Sequence, residues 1–129
     1  MQKEQKLKEL SQLRFKLRNL MQEFRDTLEV AFGRSTLMKG NVYEMSRKCG
    51  KPNCACTRGI MHRSMVLSWS ERGRTRLYSL PPERVHEITQ KSMEYLRFRS
   101  ARARVSVIAK EIVGILDRIE ELRRENPHE

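Results

Sequence analysis

Seven apolar residues, Ala101, Val105, Ile108, Ile112, Ile115, Ile119 and Leu122, follow one another in unbroken steps of four and three. That spacing places them on one narrow stripe of an α-helix, the period of a coiled-coil seam, so this stretch must find another helix to lie against. A candidate stands near the other end of the sequence. Leu10, Leu13, Leu17, Leu20, Phe24 and Ala31 keep the same alternation, interrupted only by polar Thr27, and Leu7, Met21 and Leu28 widen the stripe. With Gly33 as an αL terminator, a first helix is expected over residues 3 to 32. The second is expected to open at Pro81-Pro82-Glu83, where proline and an acidic residue suit the first turn, and to run to about Arg124. Upstream of Phe98 its seam register fails, and Val85, Ile88, Tyr95 and Leu96 form a different stripe suited to a small sheet or to the first helix. At a rise of 1.5 Å per residue the helices would be roughly 45 and 65 Å long. The shorter is therefore expected to leave part of the seam Ile108, Ile112, Ile115, Ile119 and Leu122 bare for a second copy or a partner protein.

Between the helices the period changes. Residues 34 to 40 carry no helical pattern and end in glycine, which makes them a connector. Asn41 to Arg47 reads as a strand, Met65, Leu67 and Trp69 alternate with Val66, Ser68 and Ser70, and Thr75 to Leu80 gives a third extended run. Glu71-Arg72-Gly73-Arg74 is the expected strand turn. The fold class that follows is α+β, mostly α: two long helices in a coiled-coil-like hairpin flanking a small three-stranded antiparallel zinc-binding β module. Its divisions are residues 1–33, 34–81 and 82–125, with a tail at 126–129. Pairing through the helices, as a homo-oligomer or with another protein, completes the expectation.

Three cysteines, Cys49, Cys54 and Cys56, fall within eight positions of one another, a clustering that suits metal ligation better than a disulfide framework. With His62 they read C-x4-C-x-C-x5-H. Three sulfurs and one imidazole are the number and kind of donors that a closed tetrahedral zinc site needs, and Gly50, Pro52 and Gly59 let a short loop aim them at one point. Lys48, Lys51 and Arg58 can offset the net negative charge of three thiolates and an imidazole around a divalent ion. His86 or His128 are the alternative fourth ligands, and three reduced cysteines beside a surface histidine are the bland alternative. A site filled by four protein ligands has no open position for water, so a structural rather than catalytic zinc is expected.

The run Gly40-Asn41-Val42-Tyr43-Glu44, then Cys49-Gly50-Lys51 through Cys54-x-Cys56, Gly59 and His62, then Leu67-Ser68, Gly73-Arg74 and Leu80-Pro81, resembles a family of small uncharacterised prokaryotic proteins, a domain of unknown function often encoded near transposases. The resemblance spans roughly residues 40 to 96. It implies a prokaryotic, mobile-element setting and no established activity. Arg63-Ser64 stands where the family leads one to expect glycine and proline after the histidine.

The chain of 129 residues carries a formal net charge of +11. Residues 34–76 hold ten Lys and Arg against two Asp and Glu, while the helical stretches are nearly balanced. A basic excess concentrated in one module is the footprint of a surface that neutralises phosphates. Lys39, Arg47, Lys48, Lys51, Arg58, Arg63, Arg72, Arg74 and Arg76 are the candidate contacts around the zinc loop and strand turn. Arg97, Arg99, Arg102 and Arg104 form a second run, spread around the long helix rather than on one face. Asn53, Thr57 and Trp69 could add polar or stacking contacts, although Trp69 reads rather as core because it alternates with Met65 and Leu67. The leading expectation is a non-enzymatic nucleic-acid-binding protein, DNA favoured over RNA, with a partner supplying any chemistry. The alternatives are a coiled-coil adaptor that recruits a larger enzyme and an RNA-binding ribonucleoprotein component. No run approaches the roughly 18 apolar residues of a membrane span and the first residues are polar, so a cytoplasmic setting without membrane contact is expected.

Overall fold

The computed structural model of the chain describes residues 2–48, 50–54, 58–59 and 62–128. Its elements are α1 (Lys3–Ala31), β1 (Asn41–Arg47), β2 (His62–Glu71), β3 (Arg74–Ser79) and α2 (Val85–Arg123), and a 3-10 turn at Pro82–Arg84 leads into α2. The fold is α+β and mostly helical, and its antiparallel sheet has the order β1-β2-β3. The chain divides into two compact units, Met1–Gly33 with Phe98–Glu129, and Arg34–Arg97.

In the helical unit, Leu10, Leu13, Leu17, Leu20 and Phe24 of α1 pack with Ile108, Ile112, Ile115, Ile119 and Leu122 of α2, and Ile108 is fully enclosed. Glu9 meets Arg118 at 2.7 Å and Glu23 meets Arg104 at 2.6 Å. Numbers rise along one helix as they fall along the other, so the two run antiparallel. The seam expected to stay partly bare is thus filled by α1 of the same chain. The length comparison misled because α1 does not have to cover all of α2: residues 98–123 and α1 are each about 40 Å long. Leu7 and Met21 do not widen the buried stripe; both are more than half exposed.

In the sheet unit, the register pairs Val42 with Leu67 and Leu67 with Tyr78, which places them on one face with Met65 and Trp69. That face forms a core with Met38, Leu80, and Val85 and Ile88 of α2. Two polar ties fix the helix to the connector before β1. Lys91 O accepts from Met38 N at 3.1 Å, and the buried Ser92 hydroxyl donates to Gly40 O at 2.6 Å. Gly40 has φ +132, and a Cβ there would stand 2.6 Å from Ser68 O, so only glycine allows this close approach of the connector to β2. At the β2–β3 turn Arg72 and Gly73 have φ 50 and 77. Positive φ at both central residues is what a type I′ turn requires, a detail the sequence alone leaves open.

Candidate metal and anion site

The loop joining β1 to β2 closes on the strand pair Arg47 and His62, which fixes His62 at the first position of β2. Within the loop, Lys51-Pro52-Asn53-Cys54 is a β-turn in which Cys54 N donates to Lys51 O at 3.2 Å. Pro52 presets φ at its second position and Asn53 suits its third. Gly59 follows at φ +97, a conformation that favours glycine. This backbone brings Cys54 Sγ to 2.9 Å from His62 Nε2.

Two of the four expected metal ligands therefore stand side by side. Cys49 and Cys56 lie outside the described residues, as does Thr57. Among the described residues no group of three His, Cys, Asp or Glu side chains forms a metal cluster. Sulfur and imidazole nitrogen are donor types that zinc accepts; the 2.9 Å contact itself is that of a direct thiol–imidazole hydrogen bond, shorter than the roughly 3.5 Å between two ligands of one tetrahedral zinc. The alternative ligands His86 and His128 belong to the start of α2 and to the segment after its end.

A cavity of about 410 Å³ opens beside the pair, lined by Arg47, Lys51, Cys54, His62, Arg63 and Ser64. Glu44 offsets Arg63 at 3.6 Å, while Arg47 and Lys51 have no acidic partner among the described residues. Lys48 and Arg58, on the same loop, are exposed. Such a mouth concentrates positive potential.

The remaining expected cations stand elsewhere. Arg72 and Arg74 sit at the β2–β3 turn, and the ten residues of β2 put that turn roughly 30 Å from the β1–β2 loop. The single basic surface expected to surround both loop and turn is therefore two clusters. In an antiparallel meander the two connections of the central strand must leave from opposite ends. Lys39 joins the turn end by donating to Ser70 O at 3.0 Å, and Arg76 faces Glu71 at 4.0 Å. On α2, Arg97 faces Glu94 at 4.0 Å and Arg104 is held by Glu23. Arg104 is thus engaged within the helix pair, while Arg99 and Arg102 are exposed with no acidic partner among the described residues.

The turn end also holds a cavity of about 300 Å³ lined by Met38, Lys39, Leu67, Trp69, Tyr78, Arg84 and Ile88. Trp69 packs on the core, as expected from its alternation, and also forms a wall of this cavity. Tyr78 and Arg84 escaped the sequence reading. A usable signal existed: a two-residue turn at Arg72-Gly73 pairs Glu71 with Arg74, and therefore Leu67 with Tyr78. Hydrogen bonds with Glu87 and then Tyr78 hold the Arg84 guanidinium above its ordinary range, and Lys91 and Arg84 hold the Glu87 carboxyl below its own.

Among the described residues no helix is long and apolar enough to cross a membrane. No curated protein and no solved structure matches the chain. A family match runs over residues 4–90, which takes in α1 as well as the sheet and so begins well before the segment from residue 40 that carries the cysteine pattern. On that match the chain belongs to the family described as a domain of unknown function, DUF6788.

Proposed function

We propose that this is a non-enzymatic, cytoplasmic nucleic-acid-binding zinc protein, DNA favoured over RNA, serving as an accessory factor of a mobile element. One observation carries the reading. The unit Arg34–Arg97 holds thirteen Lys and Arg against five Asp and Glu, and Arg47, Lys48, Lys51, Arg58, Arg72 and Arg74 have no acidic partner among the described residues. A surplus left unneutralised inside the protein is what phosphates neutralise on binding.

Cys49, Cys54, Cys56 and His62 would hold the zinc, a role supported by the Cys54–His62 contact. A zinc ion would tie the loop to the start of β2, next to Arg47, Lys51 and Arg63. The coiled-coil-like hairpin and the mobile-element setting belong to this proposal, the latter resting on the sequence resemblance. Exposed Val113 and Leu116 on α2 favour a second reading, an adaptor that docks a partner protein on the outer side of that helix.

The test is zinc content measured beside a DNA titration over a salt series, on the wild type and on Cys54→Ser. Expected are stoichiometric zinc, loss of zinc in the variant, and a logarithm of affinity that falls linearly with that of salt. Absent binding to both DNA and RNA at low salt would remove the nucleic-acid reading. A sheet unit whose folding is indifferent to chelation would remove the zinc.

A further inference from the structure

The cavity at the turn end combines features that its neighbours in the sheet lack. Trp69 on β2 and Tyr78 on β3 stand on the same face as diagonal cross-strand neighbours, a relation that spaces such positions by about 7 to 8 Å. Aromatic side chains at diagonal positions are within reach of one another, and each offers a π-face to a planar group. The floor, Leu67 and Ile88, is buried and apolar. Lys39 and Arg84 stand among the lining residues. The acids nearby cancel these cations only in part: Arg84 is engaged with Glu87 and Tyr78, but Glu87 is shared with Lys91, and Glu71, which accepts from Trp69 Nε1 at 3.3 Å, faces Arg76. At about 300 Å³ the space suits a small planar group and is too narrow for a double helix.

We infer that this cavity receives one unstacked base of a single-stranded nucleic acid, held between Trp69 and Tyr78, with Lys39 and Arg84 taking the adjoining phosphates. The inference rests on the nucleic-acid reading above and narrows its substrate from DNA in general to unpaired segments. Stacking on an aromatic ring is tolerant of sequence because every base offers a π-face. Recognition of this kind selects strandedness rather than sequence.

Trp69 is the only tryptophan in the chain, so its emission reports this site alone. The full chain is titrated with a short single-stranded DNA, with the same sequence as RNA, and with the duplex, following emission and, separately, fluorescence anisotropy of the labelled strand. Expected is quenching of Trp69 by single strands and none by the duplex. Tyr78→Ala should weaken single-strand binding about tenfold with duplex binding unchanged, and Tyr78→Phe, which keeps the ring, should bind like the wild type. Single strands that bind without quenching, or a Phe variant as impaired as the Ala variant, overturn the base pocket and leave the wider reading standing. No binding of any strand in the anisotropy arm overturns both. Should the Ala variant fail to fold, the wild-type quenching and the Phe variant decide.

Discussion

The two units differ in their balance of charge. The helical unit carries fourteen basic and eleven acidic residues and sets them against each other across α1 and α2, as in Glu9–Arg118 and Glu23–Arg104. The sheet unit has fewer than half as many acidic residues, and Arg47, Lys48, Lys51, Arg58, Arg72 and Arg74 stand at the ends of the sheet without acidic partners among the described residues. Its cohesion comes from a small apolar face, one glycine and two ties to α2. The first unit is therefore nearly balanced in charge, while the second folds with a surplus that an external anion can satisfy.

Substitutions that strike one unit only should separate them. The largest effect is expected from Ile108→Ala. It removes the most enclosed side chain of the helix pair and should cost about 3 to 4 kcal/mol. Hydrogen exchange should show the loss in α1 and residues 98–123, with amides of β2 unchanged; equal loss in both would mean that the units unfold together. Next, Gly40→Ala should cost about 2 to 3 kcal/mol in the sheet unit, because alanine is strained at φ +132 and its Cβ meets the Ser68 carbonyl. Here exchange should rise in β2 and leave α1 protected.

Much of this fold was legible because its patterns are long. Steps of three and four gave α1 and the distal seam, and the alternation Met65, Leu67, Trp69 gave the inward face of β2. What the sequence did not disclose depends on pairs of elements. Burial of the isoleucine seam by α1 required knowing where α2 changes partners, and the 2.6 Å approach at Gly40 joins residues far apart in sequence. The cations are legible as residues, but their division into two clusters is a property of strand direction. Cys54 and His62 were legible from ligand chemistry and turn residues; Tyr78 and Arg84 were not singled out, since neither belongs to a motif.

The surplus itself can be probed by neutralisation. Lys51→Gln at the loop end and Arg74→Gln at the turn end should each weaken DNA binding by about 1 kcal/mol and lower the salt slope by about one contact. Arg118→Gln, in the helical unit, should change neither. If Arg118→Gln weakens binding as much as the others, charge is not partitioned between the units as described.

The smallest effect concerns the charge that the helical unit keeps for itself. A hydrogen bond from Arg118 holds the Glu9 carboxyl below its ordinary range. A depressed folded value means that the pair contributes fully above the ordinary glutamate range and fades as pH falls through the folded value. Glu9→Gln should therefore lower the thermal midpoint slightly at neutral pH, with the difference from wild type shrinking in acid. Both side chains are about a third exposed, so salt should shrink it too. Arg118 keeps Glu121 at 3.0 Å, which limits the loss when Glu9 is neutralised. A gap that widens in acid would contradict the direction of the shift. Unchanged DNA affinity in the same variant would place this charge pair outside the nucleic-acid surface, in the unit whose charge is nearly balanced.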